Sequence, residues 1–315
     1  MEDGVWLSLM IGNSRLHWAL LERDNVLEVW DTGHLGKADF GISPINGARG
    51  GVDEGIPLLY ISARAQDMLR RNGATIESSG NIIETVDHDA RLADGEHGVL
   101  ACLLVDPRRF RVASVVPNEL GLWLRRCPGI NPVSSQDVVA GVGAYPTLGV
   151  DRALAVRGAA RVRGWPVMVV DCGSALTFTA GDKQGRLGGG AILPGVRLQL
   201  AALGARTALL PSDVVLPEEL PPRWAMNTSG GIQAGVMWTI VAGIQSFIKD
   251  RWKLDPDATV VFTGGDGQVL YKAVLDSWER EQPDLDRLRD RIKFVGEVIH
   301  WGIASLALGT VESYY

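Results

Sequence analysis

Apolar residues gather into short runs broken by glycine and proline. Val5 to Met10 is an apolar run, Gly12 to Ser14 a turn and Leu16 to Leu21 a second apolar run, the pattern of a β-hairpin. A third strand around Val26 to Trp30 extends it to a meander. From Gly33 to Pro57 the periodicity fades among glycines and prolines, which predicts a loop or insertion. Leu58 to Ser62 reads as a strand and Ala63 to Arg71 as a helix. Phe110 to Val116 is an apolar strand stopped by Pro117, with a helix predicted over Asn118 to Arg126. Ala153 to Arg163 is helical in composition, and Pro166 separates it from a new strand.

The opening pattern then returns. Val167 to Val170 is a continuous apolar run, followed by Asp171, Cys172, Gly173 and Ser174 and by an alternating strand from Leu176 to Ala180. Setting Gly12 on Gly173 places Leu9, Met10 and Ile11 on Val170, Asp171 and Cys172, and Asn13 on Ser174. A separation of half the chain is too long for a solenoid repeat and predicts a duplicated domain. Beyond it lie a glycine-rich bend at Gly188 to Gly190, a helix from about Gly195 to Leu203 and a long helix from Ser229 to Lys249. On the long helix Ala234, Met237, Trp238, Val241, Ile244, Gln245 and Ile248 form a broad apolar face that suits either a core or a dimer interface. Thr259 to Phe262 is a strand ending in Thr263-Gly264-Gly265-Asp266, with a helix from Gln268 and a last helix from about Glu297 to Leu308.

At 315 residues the chain suits two domains. The composition, 46% hydrophobic and 22% charged, is globular. A net charge of -6 argues against a nucleic-acid partner, because neutralising phosphates needs excess Lys and Arg, and the cluster Arg108, Arg109, Arg111 reads as solvated surface. Cys102, Cys127 and Cys172 are odd in number and lack CxxC spacing, which points away from a disulfide framework or zinc site and towards a reducing compartment. Asp87, His88, Asp89, Glu96 and His97 lie in a polar stretch and read as solvated side chains rather than metal ligands. No leader pattern opens the chain, and the apolar stretch around Val236 to Ile248 falls short of the roughly 20 residues a span requires. The expectation is a cytoplasmic protein that engages no membrane.

The chain has no GxxxxGK[ST] loop, no GxGxxG after a strand, no HExxH and no GxSxG, so several common enzyme classes lose their signature. Asp171-Cys172-Gly173-Ser174 is either a plain hairpin turn or a phosphate loop, in which glycine admits a phosphate to main-chain N–H groups, Ser174 adds a donor and Asp171 holds a cation. Gly149-Val150-Asp151-Arg152 precedes a helix. Asp151 there is either a cap or the acid that orients and deprotonates a substrate hydroxyl, with Arg152 fixing a polar substrate group. Thr263-Gly264-Gly265-Asp266 is a bare strand-to-helix turn or a place where a nucleotide lies against backbone.

Taken in order, G-N-S at 12 to 14, S-V-V-P at 114 to 117, G-V-D-R at 149 to 152, V-D-C-G-S-A-L-T at 170 to 177, G-G-A-I-L-P-G at 189 to 195, N-T at 227 to 228 and T-G-G-D at 263 to 266 resemble the type III pantothenate kinases from end to end. The resemblance implies an α/β fold of the actin, heat-shock chaperone and sugar kinase superfamily. Two ribonuclease H-like domains, 1–150 and 151–315, would stand around a nucleotide cleft. It implies transfer of the ATP γ-phosphate to the 4'-hydroxyl of pantothenate, the first step of coenzyme A biosynthesis. Asp151 would be the general base, and Gly149, Val150, Arg152, Thr228 and Tyr145 would contact pantothenate. Gly12, Asn13 and Ser14 would form the first phosphate loop and Asp171, Gly173 and Ser174 the second, with Gly264 and Gly265 against the nucleotide. Asp171 would hold a divalent cation, magnesium, with potassium or ammonium as a monovalent partner. Asn227 and Thr228 match a segment that in the family reaches the other subunit's pantothenate site, which implies a homodimer.

One position departs from the family's D-x-G-N-T motif: the acid two before Gly12 is replaced by Met10, and a thioether makes no useful ligand for a hard cation. Either Asp171 suffices, or a nearby carboxylate substitutes, or the chain is a catalytically silent ligand-sensing regulatory protein of the same fold.

Overall fold

The computed structural model describes residues 5–23, 25–34, 58–61, 75–78, 99–104, 110–126, 130–134, 136, 138, 145, 147–207, 210–211, 213–279 and 289–307. The helix expected over Ala63 to Arg71, the loop from 35 to 57 and the cluster at Asp87 to His97 lie outside them. The chain forms two compact units. The first comprises 1–138, 149–151 and 299–312, and the second 139–148, 152–298 and 313–315.

In the first unit, β1 (Val5–Ile11), β2 (Leu16–Glu22) and β3 (Asn25–Thr32) form an antiparallel meander. β4 (Leu58–Ile61), β5 (Thr75–Ser78) and β6 (Val99–Leu104) make a separate antiparallel sheet in the order β4-β6-β5. β7 (Phe110–Ser114) then runs parallel to β1, and after α1 (Pro117–Arg126) β8 (Asn131–Val133) runs parallel to β7. The main sheet has the order β3-β2-β1-β7-β8. Its core is aromatic: Trp18 stacks on Trp30 and Phe110 and meets Trp123 edge-on, with Leu7, Leu9, Ile11 and Val112 packed around them.

The second unit repeats this topology. After α2 (Val150–Arg163), β9 (Val167–Cys172), β10 (Ala175–Gly181) and β11 (Leu187–Pro194) form the meander. α3 (Val196–Arg206) and α4 (Thr228–Leu254) intervene. β12 (Thr259–Thr263) is parallel to β9, and after α5 (Gly267–Glu279) β13 (Ile292–Phe294) is parallel to β12, giving β11-β10-β9-β12-β13. Two mixed five-stranded sheets of one strand order are the duplicated domain that the repeated hairpin predicts, and they match the two ribonuclease H-like domains that the family resemblance implies. The last helix, α6 (Val298–Ala307), counts almost wholly with the first unit.

Each central strand is apolar on both faces because helices cover the sheet. β9 buries Val167, Met168, Val169 and Val170, and β12 buries Val260, Val261 and Phe262. α4 is long and apolar enough to cross a membrane by length and composition, but Met237, Val241, Ile244 and Ile248 are fully buried in the second core, as in a core helix. The bend expected at Gly188 to Gly190 is instead strand β11, hydrogen-bonded along β10. Sheet continuation outweighs the weak strand preference of glycine here, and the missing side chain at Gly190 leaves room for Arg152.

Candidate active site

The two hairpins are alike in position but not in length. In the first, the Gly12 N–H donates to the Arg15 carbonyl at 3.0 Å, and β2 resumes at Leu16. In the second, the Gly173 N–H donates to the Ala175 carbonyl at 3.1 Å, one residue sooner. The first loop is also held from below, because His34 Nε2 lies 2.7 Å from the Gly12 carbonyl oxygen and donates to it. A planar trans peptide carries its C=O and N–H on opposite sides, so that bond turns the Asn13 N–H away from His34. The result is a turn with a main-chain donor directed outward.

Around the second hairpin the structure gathers Asp171, Gly173, Ser174 and Gly264. Asp171, next to last in β9, stands opposite Thr263 of β12 and Thr177 of β10. A Cβ on Gly264 would stand 2.5 Å from Asp171 Oδ1 and 2.8 Å from the Cys172 nitrogen, and Gly264 has φ +85°. Glycine at 264 is therefore required twice, by the backbone conformation and by the carboxylate resting on it. The Asp266 N–H donates to the Cys172 carbonyl at 2.9 Å and fastens the diglycine turn to the hairpin. From the other side the Gly195 N–H at the start of α3 donates to the Ser174 carbonyl at 3.0 Å. Arg197 Nε donates to Asp266 Oδ1 at 2.8 Å, placing a largely exposed guanidinium on this group, a residue whose place no sequence motif marked. Cys172 is 1% exposed, and burial first, then the charges of Asp171 and Asp266, push its thiol well above the ordinary value. It stays protonated and fills space beneath the loop.

Gly149-Val150-Asp151-Arg152 opens α2. Helix α2 begins at Val150, so Asp151 stands in its first turn rather than at a cap, where a carboxylate favours the helix dipole. Asp151 Oδ1 folds back so closely over Gly149 that any Cβ there would collide with it. Arg152 is 7% exposed. Its Nε donates to Thr179 Oγ1 at 3.0 Å, its Nη2 to the Phe178 carbonyl at 3.1 Å and its Nη1 to the Tyr145 hydroxyl at 2.8 Å. Gly190 gives way to this side chain: a Cβ there would overlap Arg152 Nη2 and the Phe178 carbonyl. The glycine-rich strand is thus the surface on which the guanidinium lies, and Tyr145 belongs with Arg152.

Asn227 caps α4, its side-chain oxygen accepting from the Gly230 N–H at 2.7 Å, and Thr228 is the first helical residue. Both are exposed. Gly265, beside Gly264, faces open space. Gly12, Asn13, Ser14 and Asp151 belong to the first unit, and Arg152, Tyr145, Asp171, Gly173, Ser174, Gly264, Gly265 and Thr228 to the second. Among the described residues no three His, Cys, Asp or Glu side chains cluster as a self-sufficient metal site.

Comparison with known proteins places this arrangement. The family model described as type III pantothenate kinase matches residues 74–250. The protein named type III pantothenate kinase of Nostoc sp. is 35% identical over 98% of this chain and 96% of its own length. The chain belongs to the type III pantothenate kinase family. Proteins of the same name from Synechocystis sp. and Synechococcus elongatus are 34% and 35% identical over 84% and 86% of this chain, covering 79% and 88% of their own lengths. Kinases of this family act with ATP and a divalent cation.

Proposed function

We propose that this chain transfers the γ-phosphate of ATP to the 4'-hydroxyl of pantothenate, the first step of coenzyme A biosynthesis. Family membership across the whole chain carries the reading, and the duplicated hairpins supply its physical basis. No observation favours a catalytically silent regulatory role.

Gly12, Asn13 and Ser14 bind ATP phosphates at the first hairpin, and Gly173 and Ser174 at the second, through main-chain and hydroxyl donors. The nucleotide lies along Gly264 and Gly265. Asp171 fits a divalent cation shared with ATP, since it sets one hard carboxylate beside the loop, and magnesium is commonly held by one or two carboxylates together with substrate phosphates and water. Such a cation neutralises charge on the phosphates when bound, and potassium or ammonium is the expected monovalent partner. Asp151 accepts the proton of the pantothenate hydroxyl and aims its oxygen in line with the γ-phosphorus. Arg152, braced by Thr179, Phe178 and Tyr145, orients pantothenate together with Gly149 and Val150. Positioning and charge stabilisation supply most of the rate.

The two domains divide near 150 and 151. The protein acts as a homodimer in the cytoplasm, with Asn227 and Thr228 directed to the partner's pantothenate site. Trp224 and Met226, almost wholly exposed just before α4, and Leu254 at its far end support a covered surface there. The acidic net charge supports the expectation of no nucleic-acid partner. Mass spectrometry of the product tests the activity: a pantothenate mass raised by one phosphoryl group, only with ATP and magnesium both present, supports it, and its absence at millimolar substrates refutes it.

A further inference from the structure

The two hairpins differ in one chemical respect. The second has a carboxylate, Asp171, two residues before its glycine, whereas the first has Met10 there, 2% exposed in β1. Yet the first hairpin carries polar groups that the second lacks. Met10 stands opposite His17 on β2, and His17 opposite Asp31 on β3, one row across three strands. Residues directly opposite in antiparallel strands project to the same face. His17 Nδ1 lies 2.7 Å from Asp31 Oδ1, and both side chains are nearly half exposed. At the corresponding place on β10 stands Thr177, opposite Asp171.

The other edge of the His17 ring reaches the loop. A Cβ on Gly12 would stand 3.2 Å from His17 Nε2 and 3.4 Å from its Cδ2, so the imidazole occupies the space that glycine leaves. With Nδ1 donating to the Asp31 carboxylate, Nε2 is the ring atom presented at the turn, and it makes no protein hydrogen bond among the described residues. Burial lifts the Asp31 carboxyl, but the hydrogen bond and charge of His17, with the charge of Arg15 adding to them, leave it below its ordinary value. The nearby His300 is buried in the core on Ser8 Oγ and is neutral. The ionisable groups at the loop are therefore Arg15, His17 and Asp31, with His34 beneath it on the Gly12 carbonyl.

We propose that His17, held by Asp31, is a direct ligand of the ATP polyphosphate at the first hairpin, replacing a carboxylate that acts through a metal with an imidazolium that donates to phosphate oxygen. This rests on reading Gly12 to Ser14 as a phosphate loop. A charge-assisted N–H···O bond is shorter and about twice as strong as a neutral one. The first hairpin accordingly grips the nucleotide itself, and the divalent cation is the task of the second.

Calorimetric titration of the full chain with ATP and with adenosine, each with and without magnesium, tests this. His17→Ala weakens ATP binding about tenfold or more, as expected for a hydrogen bond to a charged group of about 1.5–3 kcal/mol. The loss persists without magnesium and leaves adenosine binding unchanged. His17→Lys restores most of the ATP affinity, and Asp31→Asn lowers it by a smaller factor. Should the alanine variant unfold, the lysine variant and His17→Gln read the same ATP-to-adenosine ratio. ATP affinity unchanged in these variants, or ATP and adenosine weakened equally, overturns the proposal. A wild-type chain that binds adenosine but gains nothing from its phosphates overturns the phosphate-loop reading as well.

Discussion

Alanine substitution of the two glycines in Thr263-Gly264-Gly265-Asp266 should have unequal consequences. At Gly264 a new Cβ meets the Cys172 backbone at 2.7 to 2.8 Å and Asp171 Oδ1 at 2.5 Å. Backbone is the obstacle, and it cannot rotate away, because Asp171 is laddered to both Thr177 and Thr263. The left-handed φ of +85° adds its own penalty. Taking about 1–2 kcal/mol for the conformation and about 1–3 kcal/mol for overpacking, Gly264→Ala loses about 2–5 kcal/mol. At about 2–4 °C per kcal/mol for a domain of this size, the transition falls by roughly 4–20 °C. Because Asp171 is displaced, ATP affinity falls as well, by about tenfold or more for a lost bond to a charged group. At Gly265 nothing lies within 4 Å of a Cβ, so Gly265→Ala stays within about 0.5 kcal/mol of wild type in stability. It weakens ATP binding only through the space the nucleotide needs. Differential scanning calorimetry with a nucleotide titration on each variant reads both quantities. Equal thermal stability for the two variants would refute the packing argument.

Arg152→Lys removes the fork that reaches Thr179, the Phe178 carbonyl and Tyr145 together, leaving buried acceptors unmatched at about 1–3 kcal/mol each. Steady-state kinetics should show a raised KM for pantothenate with the KM for ATP little changed. Asn227→Ala deletes the cap of α4 and loses about 1 kcal/mol, read by thermal unfolding, with a further rise in the KM for pantothenate. His300 is lowered to about 3, by burial first and then by His17, against the favourable charge of Asp31. The unfolded chain therefore binds one more proton than the folded one between about pH 3 and 6.5, and this group makes stability fall by about 1.4 kcal/mol per unit as pH drops through that window. Urea titrations from pH 7 to 4 should show a shallower decline for His300→Gln than for wild type.

Hairpins, crossovers and most helices are legible in the sequence because their apolar runs are long and their punctuation strong, as at Gly12 to Ser14 and at Pro166. The repeat of Leu9-Met10-Ile11-Gly12 in Val170-Asp171-Cys172-Gly173 correctly announces a duplicated sheet. Three-residue strands such as β8 and β13 carry too few positions for a period, and they exist through parallel pairing to β7 and β12. β11 escapes because its glycines read as a bend, while the reason for glycine at 190, Arg152 lying on it, comes from a residue far away in sequence. The same limit hides the His17 and Asp31 pair. Fourteen residues separate them, and only the meander register sets them side by side.

Whether Asp151 drives phosphoryl transfer to pantothenate is decided by an ADP-release assay with pantothenate, ATP, magnesium and potassium. Wild type and Asp151→Asn are run in parallel, after calorimetry shows that both fold and bind pantothenate. Pantothenate-dependent turnover is expected in wild type, with a fall of about 10²–10⁴-fold in the variant, the range of a lost general base. Turnover in the variant equal to that of wild type, or none in a wild-type chain that binds both substrates, would contradict the assignment.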